Sequence, residues 1–175
     1  ADLLELATTT TITLDGLSLA NASHFIGDTG GTQSNQTTGT LVTADLETAI
    51  QNFGLQQDHN GTIMGLEPKY LIVPRRNMMT AKKLLGSPLT PFDANNSINA
   101  ITESGIILIV YSRMVTTAFE GMLLSDQMFH RLEAQLAYGP TLTPDRDTNT
   151  GNDVIQLDLA FNVGTVDYLG TYFIV

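Results

Sequence analysis

The sequence contains no cysteine and no tryptophan. Without a thiol, disulfide staples, thiolate catalysis and Cys-ligated zinc or iron–sulfur centres are excluded. Basic residues are scarce: eight Lys and Arg stand against eighteen Asp and Glu, giving a formal charge of −10. A chain so charged is repelled by phosphate backbones and anionic bilayers, which argues against electrostatic binding to nucleic acid or membrane. Long apolar runs are missing as well. The longest, Ile106 to Tyr111, falls far short of the roughly 20 residues that a membrane helix needs. The opening Ala1-Asp2-Leu3-Leu4-Glu5-Leu6 lacks the basic region of a signal peptide. It also lacks Met, which leads to the expectation of a processed product or part of a longer chain.

What is present is apolar and polar rather than charged. Of 175 residues, 42% are apolar and 15% charged, enough to bury a core. Twenty-four are Thr, whose β-branching favours strands and extended loops. No repeat of solenoid length is visible. Thr8 to Leu14 reads as an edge strand closed by the turn Asp15-Gly16. Residues 20–39 read as a polar loop excursion anchored only by Phe25 and Ile26. Thr43 is a candidate N-cap, and Leu46, Ala49, Ile50 and Phe53 recur at helical spacing, predicting a helix over 44–53. Thr62 to Met64 reads as a short strand, and Tyr70 to Val73 as a buried strand ended by Pro74. A second helix carries Met78, Ala81, Leu84 and Leu85 and stops at Gly86. After a polar loop over 92–99, strands are expected at 106–111, 118–124, 132–138, 154–163 and from Val166 to the C-terminus. Alternation of Ile155, Leu157, Leu159, Phe161 and Val163 with polar or small residues describes a strand with one buried face. The fold class is therefore α+β, with helices packed on mostly antiparallel strands.

Four constellations could carry chemistry. Asp28-Thr29-Gly30 matches the tripeptide of aspartic proteases, in which two carboxylates share a proton. It occurs once, in a Gly-rich polar segment, so a dimeric protease is the alternative reading and a turn the plainer one. Asp145, Asp147, Asn149 and Asp153 are spaced like oxygen ligands of a calcium loop, the basis of a second alternative, a calcium-dependent β-rich binding module. Gly151 and Gln156 depart from the EF-hand pattern, so an ordinary acidic strand connection competes with it. His24, His59 and His130 show no paired spacing, and no nucleophile elbow accompanies them. Gly27 to Gly31 lacks the lysine of a phosphate-binding loop. No cofactor is implied. Sequons at Asn21, Asn35, Asn60 and Asn95 are expected by chance at this Asn and Thr content, and Met78-Met79 reads as core filler.

Charge is unevenly placed. Lys69, Arg75, Arg76, Lys82 and Lys83 gather five of the eight basic residues between Glu67 and Gly86. With Glu67 the net charge of that stretch is +4, leaving −14 on the remainder. A solvated helix face is one reading. The other is a docking surface for an acidic neighbour, most simply a second copy of the chain.

Taken in order, Asp15-Gly16-Leu17, Ser23-His24, Ser34-Asn35, the helix over 44–53 and Glu67-Pro68-Lys69-Tyr70-Leu71-Ile72-Val73-Pro74 resemble the major capsid proteins of tailed bacteriophages, in particular the Mu-like major head subunits. Ala81-Lys82-Lys83-Leu84-Leu85-Gly86-Ser87, Asn95-Asn96, Gly121-Met122-Leu123-Leu124-Ser125-Asp126 and Val166-Asp167-Tyr168-Leu169-Gly170-Thr171-Tyr172 continue the series. Leu169 departs from it, standing where relatives commonly carry Arg. An N-terminal arm, spine helix and extended loop are also missing upstream, so the chain resembles the second half of such a subunit. The resemblance implies the fold shared with encapsulins, with peripheral and axial parts in one unit over 1–175. It implies a nonenzymatic structural protein that self-assembles in many copies, as pentamers and hexamers, into an icosahedral shell enclosing DNA. The implied partners are further copies, the N-terminal half, and portal, scaffold or decoration proteins, with no sequence-specific nucleic acid binding and no membrane. The implied location is the virion, with assembly in the host cytoplasm.

Overall fold

A computed structural model describes residues 7–8, 13, 15–27, 30–89, 98–113, 119–146 and 150–175. The expected strand over 8–14, Asp28 and Thr29, the loop over 92–99 with its Asn95 sequon, and Asp147 and Asn149 lie largely or wholly outside these residues. The chain divides into two compact units: Ala1–Arg131 with Thr165–Val175, and Leu132–Gly164.

In the first unit, the segment expected as a polar loop carries three short strands. β1 (His24–Ile26) pairs antiparallel with β2 (Gly31–Gln33), and β3 (Gln36–Thr37) follows. Helix α1 (Thr43–Gly54) spans the predicted range within one residue at each end. Thr43 is not its cap: the helix starts from Val42 without a side-chain cap. Asp45 instead accepts the Thr40 N–H at 2.9 Å, which draws a first-turn carboxylate onto the entering chain. Next come β4 (Tyr70–Pro74), a single 3₁₀ turn, α2 (Met78–Gly86), β5 (Ile107–Tyr111) and β6 (Gly121–Leu124). The expected strand at 62–64 reduces to one bridge between Gln57 and Ile63.

Five strands form one sheet in the order β3, β9 (Thr171–Ile174), β6, β4, β5. The sheet is mixed rather than mostly antiparallel, because β4 runs parallel to β5 and β3 to β9, while β6 is antiparallel to both its neighbours. The physical reason for the first parallel pair is that α2 stands between β4 and β5 and acts as a crossover. Directly opposite residues share a face. Leu71, Leu123 and Tyr172 lie in one such row, and they join Leu46, Ala49 and Phe53 of α1 and Ala81 and Leu84 of α2 in one buried cluster. Both helices therefore cover the same face. Each fully buried Leu or Phe there contributes about 2 kcal/mol. On the other face Ile72, Met122 and Phe173 form a second buried row, with Phe119 edge-on to Phe173 at 5.5 Å.

Polar groups fasten the N-terminal segment to this sheet. Asn35 is fully buried: its amide donates to the Leu19 carbonyl at 2.6 Å and to Thr171 Oγ1 at 3.3 Å, and accepts the Asn21 N–H at 2.9 Å. Beside it, His24 is buried and stacked on Tyr168 at 3.8 Å, with Nδ1 2.6 Å from Asp15 and Nε2 3.2 Å from the Leu19 carbonyl. Burial raises the Asp15 carboxyl, but hydrogen bonds from Thr13, His24 and the Leu17 N–H outweigh it and hold the group below its ordinary 3.8. A depressed acid stabilises the fold above its ordinary value and loses that contribution as pH falls through the lowered one. The stability gap between the natural chain and Asp15→Asn is thus expected to be full at neutral pH and to close below about pH 4. Thermal melts of both from neutral to acid pH measure it, and a gap constant with pH would contradict it.

The second unit is a pair of long strands, β7 (Leu132–Arg146) and β8 (Asp153–Thr165). Their short connection can join only antiparallel neighbours. Both strands run beyond the segments expected from the sequence.

Candidate functional site

The basic cluster is carried by the two ends of β4 and by α2. Lys69 precedes β4 and pairs with Asp126 at 2.6 Å, a hydrogen bond that raises the lysine and lowers the carboxylate. Arg75 and Arg76 follow the far end of β4, about 17 Å away for a strand of that length. Arg76 bonds Glu120 at 2.9 Å and the Phe119 carbonyl at 3.2 Å, and Asn77 holds the same glutamate. Lys82 and Lys83 lie on the exposed side of α2, opposite the buried Ala81 and Leu84. Lys69 and the Arg75–Arg76 pair therefore stand at opposite ends of β4, and α2 carries the two remaining lysines on its return.

The candidates for catalysis and metal binding do not converge. His24 is taken up by its buried bonds, His59 lies 3.3 Å from Asp167 near the surface, and His130 has a buried Nδ1 with no partner among the described residues. Burial pushes the His130 imidazole below its usual value. Among the described residues, no three His, Asp or Glu side chains gather around a point. Asp145 and Asp153 stand at the ends of β7 and β8, and the two middle positions of the calcium spacing lie outside the described residues. No described helix is long and apolar enough to cross a membrane.

The prominent feature is one that motif reasoning missed. In the second unit, Leu136, Tyr138 and Leu142 of β7 and Ile155, Leu157, Leu159, Phe161 and Val163 of β8 are exposed. Exposure reaches 66% at Leu142, 72% at Ile155 and 65% at Phe161. The alternation of β8 led to the expectation of a buried face, and that face is not buried within the chain. Its signal was nevertheless in the sequence. A strand that alternates apolar with polar residues has one side meant for burial, and β7 alternates in the same phase. Contiguous exposed apolar surface on this scale marks an interaction site.

A solved structure shares this fold. A phage-related protein from Bordetella bronchiseptica RB50 superposes with a TM-score of 0.53 at 15% identity, over 89% of this chain and 56% of the other. This chain thus spans just over half the length of that one, and at such low identity the likeness extends to the fold alone. No curated protein matches the chain. A family model described as phage capsid protein matches residues 1–174, and with practically the whole sequence covered, the chain belongs to the phage capsid protein family.

Proposed function

We propose that this protein is a shell subunit that works by being tiled in many copies, as pentamers and hexamers of an icosahedral capsid enclosing DNA. Membership in the phage capsid protein family supports a structural role in the virion. The observation that carries the finer reading is the exposed apolar face of the β7–β8 hairpin. A surface of that kind gains its stability only against a neighbour, and in a capsid the neighbours are further subunits. The acidic balance fits containment, because a wall of net negative charge does not hold the packaged polymer. In the encapsulin-like fold that the sequence resembles, residues 1–175 would together supply peripheral and axial parts of one subunit. The order of motifs from Asp15-Gly16 to Gly170-Thr171 supports the Mu-like branch and the second half of a longer subunit. Portal, scaffold or decoration proteins would then meet the assembled shell, formed in the host cytoplasm.

Basic residues facing outward are the second element of the proposal. Lys69 and Arg76 are engaged with Asp126 and Glu120. The test therefore uses Arg75→Glu and Lys82→Glu together. If these residues dock on an acidic neighbour, the double variant is expected to assemble poorly or into aberrant particles while melting as the natural chain does. Sedimentation and negative-stain microscopy of the chain expressed with its native neighbouring segments read the result. Normal particles would remove α2 from the interface. A natural chain that stays dispersed under the same conditions would sink the tiling itself.

A further inference from the structure

All three histidines of the chain gather on one short segment. Residues 166–170 connect β8 to β9, just after the chain re-enters the first unit at Thr165, having left it at Arg131. His24 stacks on Tyr168 at 3.8 Å, His59 lies 3.3 Å from Asp167, and the Cα of His130 would stand 3.1 Å from a Cβ on Gly170. Their surroundings differ. The ring nitrogens of His24 face the Asp15 carboxylate and the Leu19 carbonyl, and His59 faces a carboxylate at the surface, so a ring proton has an acceptor in each case. His130 Nδ1 is buried and has no partner among the described residues. A neutral ring can leave that nitrogen bare, whereas an imidazolium would carry an N–H there that no described group receives.

The turn that carries His130 also holds the segment in place. The Phe129 and His130 N–H groups both donate to the Asp126 carbonyl, at 2.9 and 3.3 Å, which closes the turn. On one side of it the Ser125 N–H donates to the Gly170 carbonyl at 3.0 Å, and on the other the Arg131 carbonyl accepts the Val166 N–H at 3.2 Å. Turn and segment are thus fastened at both ends. The charges around the ring are few: Asp126 on the same turn, bound at 2.6 Å to Lys69 before β4, then Arg131 next in the chain, and Asp167 on the segment beside His59. Ser125 and Gly170, which pack against the turn, carry none. Burial outweighs the pull of Asp126 and pushes the imidazole below its ordinary 6.5.

We infer that the turn over 125–131 is an acid-released clamp: protonated His130 must reach water, and its ring draws the turn off residues 166–170. The base from which the hairpin springs then loosens. A histidine held below its ordinary value contributes fully above that value and loses its contribution as pH falls through the lowered one, so release comes on the acid side of neutrality. Gly170 makes the clamp tight, because only a residue without a Cβ lets the turn approach so closely. The clamp stands on these contacts alone, and only its bearing on assembly through the hairpin rests on the proposed function.

Amide exchange of the full chain, corrected at each pH for the intrinsic rate, reads the clamp. Between about pH 7 and about pH 5 the Ser125 and Val166 amides are expected to lose about tenfold in protection, the scale of one stranded buried donor. The Phe173 amide, bonded to Asn35 across the sheet, should hold its protection. His130→Phe keeps a ring without a titrating nitrogen and is expected to make Ser125 and Val166 indifferent to pH. His130→Gln, polar but not titrating, gives the same reading should the first variant fail to fold. Protection that stays level with pH in the natural chain would overturn the inference, as would an acid loss that survives in the His130 variants. Sedimentation at both pH values separates this result from the capsid reading. Amides that respond in a chain that never assembles keep the clamp and remove the shell, and particles whose amides do not respond keep the shell and remove the clamp.

Discussion

Alanine in place of Gly170 is expected to destabilise the sheet-bearing unit by about 3 kcal/mol, more than any exposed substitution in the chain. Gly170 sits at φ +73°, where an L side chain costs about 1–2 kcal/mol on its own. A Cβ there would lie 2.5 Å from Ser125 Oγ, 3.0 Å from the Phe129 carbonyl and 3.1 Å from His130 Cα. The backbone cannot retreat without breaking bonds: the Gly170 N–H donates to Gln56 Oε1 at 3.0 Å, and its carbonyl accepts the Ser125 N–H at 3.0 Å. Gln56 is itself buried and donates to the Thr171 carbonyl at 2.8 Å, so a shift would travel into β9. Gly105 provides the comparison. It has nearly the same φ, +69°, with open space where a Cβ would go, so Gly105→Ala should cost only the backbone part. Chemical denaturation of both variants checks the difference, and equal losses would show that the neighbours of Gly170 yield.

Asn35→Leu is expected to cost a similar amount, about 3 kcal/mol, or roughly 10 °C in melting temperature for a chain of this size. Leu keeps the branched outline of Asn but is bulkier, which adds some overpacking; the Asn21 N–H and Thr171 Oγ1 lose a buried partner, and the Leu19 carbonyl keeps only the longer bond from His24. Each polar group stranded away from water costs about 1–3 kcal/mol. The Asn35 carbonyl also accepts the Phe173 N–H at 2.8 Å. The variant should therefore loosen β3 from β9 first, seen as faster amide exchange at Phe173 than at Leu123. A loss under about 1 kcal/mol would mean that water replaces the amide.

These two positions also show where the sequence is readable. Both helices, β4 and the alternation of β8 could be read because each depends on a period of a few residues. Leu46, Ala49 and Phe53 recur on one helical face, and Ile155 to Val163 alternate. The sheet order could not be read, because Gln36 pairs with Phe173 and Leu71 with both Leu108 and Leu123, and no local pattern encodes partners so far apart. The same distance hid the network of the N-terminal segment. Asp15 reads as a turn residue, and Gly16 does take φ +79° after it, yet the carboxylate is also the partner of a buried histidine nine residues on. Asn35 reads as one polar residue among many in a Gly- and Thr-rich stretch. The basic cluster was visible as a run of charge, but its placement was not, because an extended strand carries Lys69 and Arg75 to its opposite ends.

Pro140 and Pro144 bear on a hazard that a long exposed strand carries. In a cross-β fibre every backbone group of a strand pairs with the chains above and below it. Neither proline has an N–H to give, so copies of β7 stacked in register would miss two donors at every level. Material stored at high concentration should therefore resist conversion into such fibres through this strand.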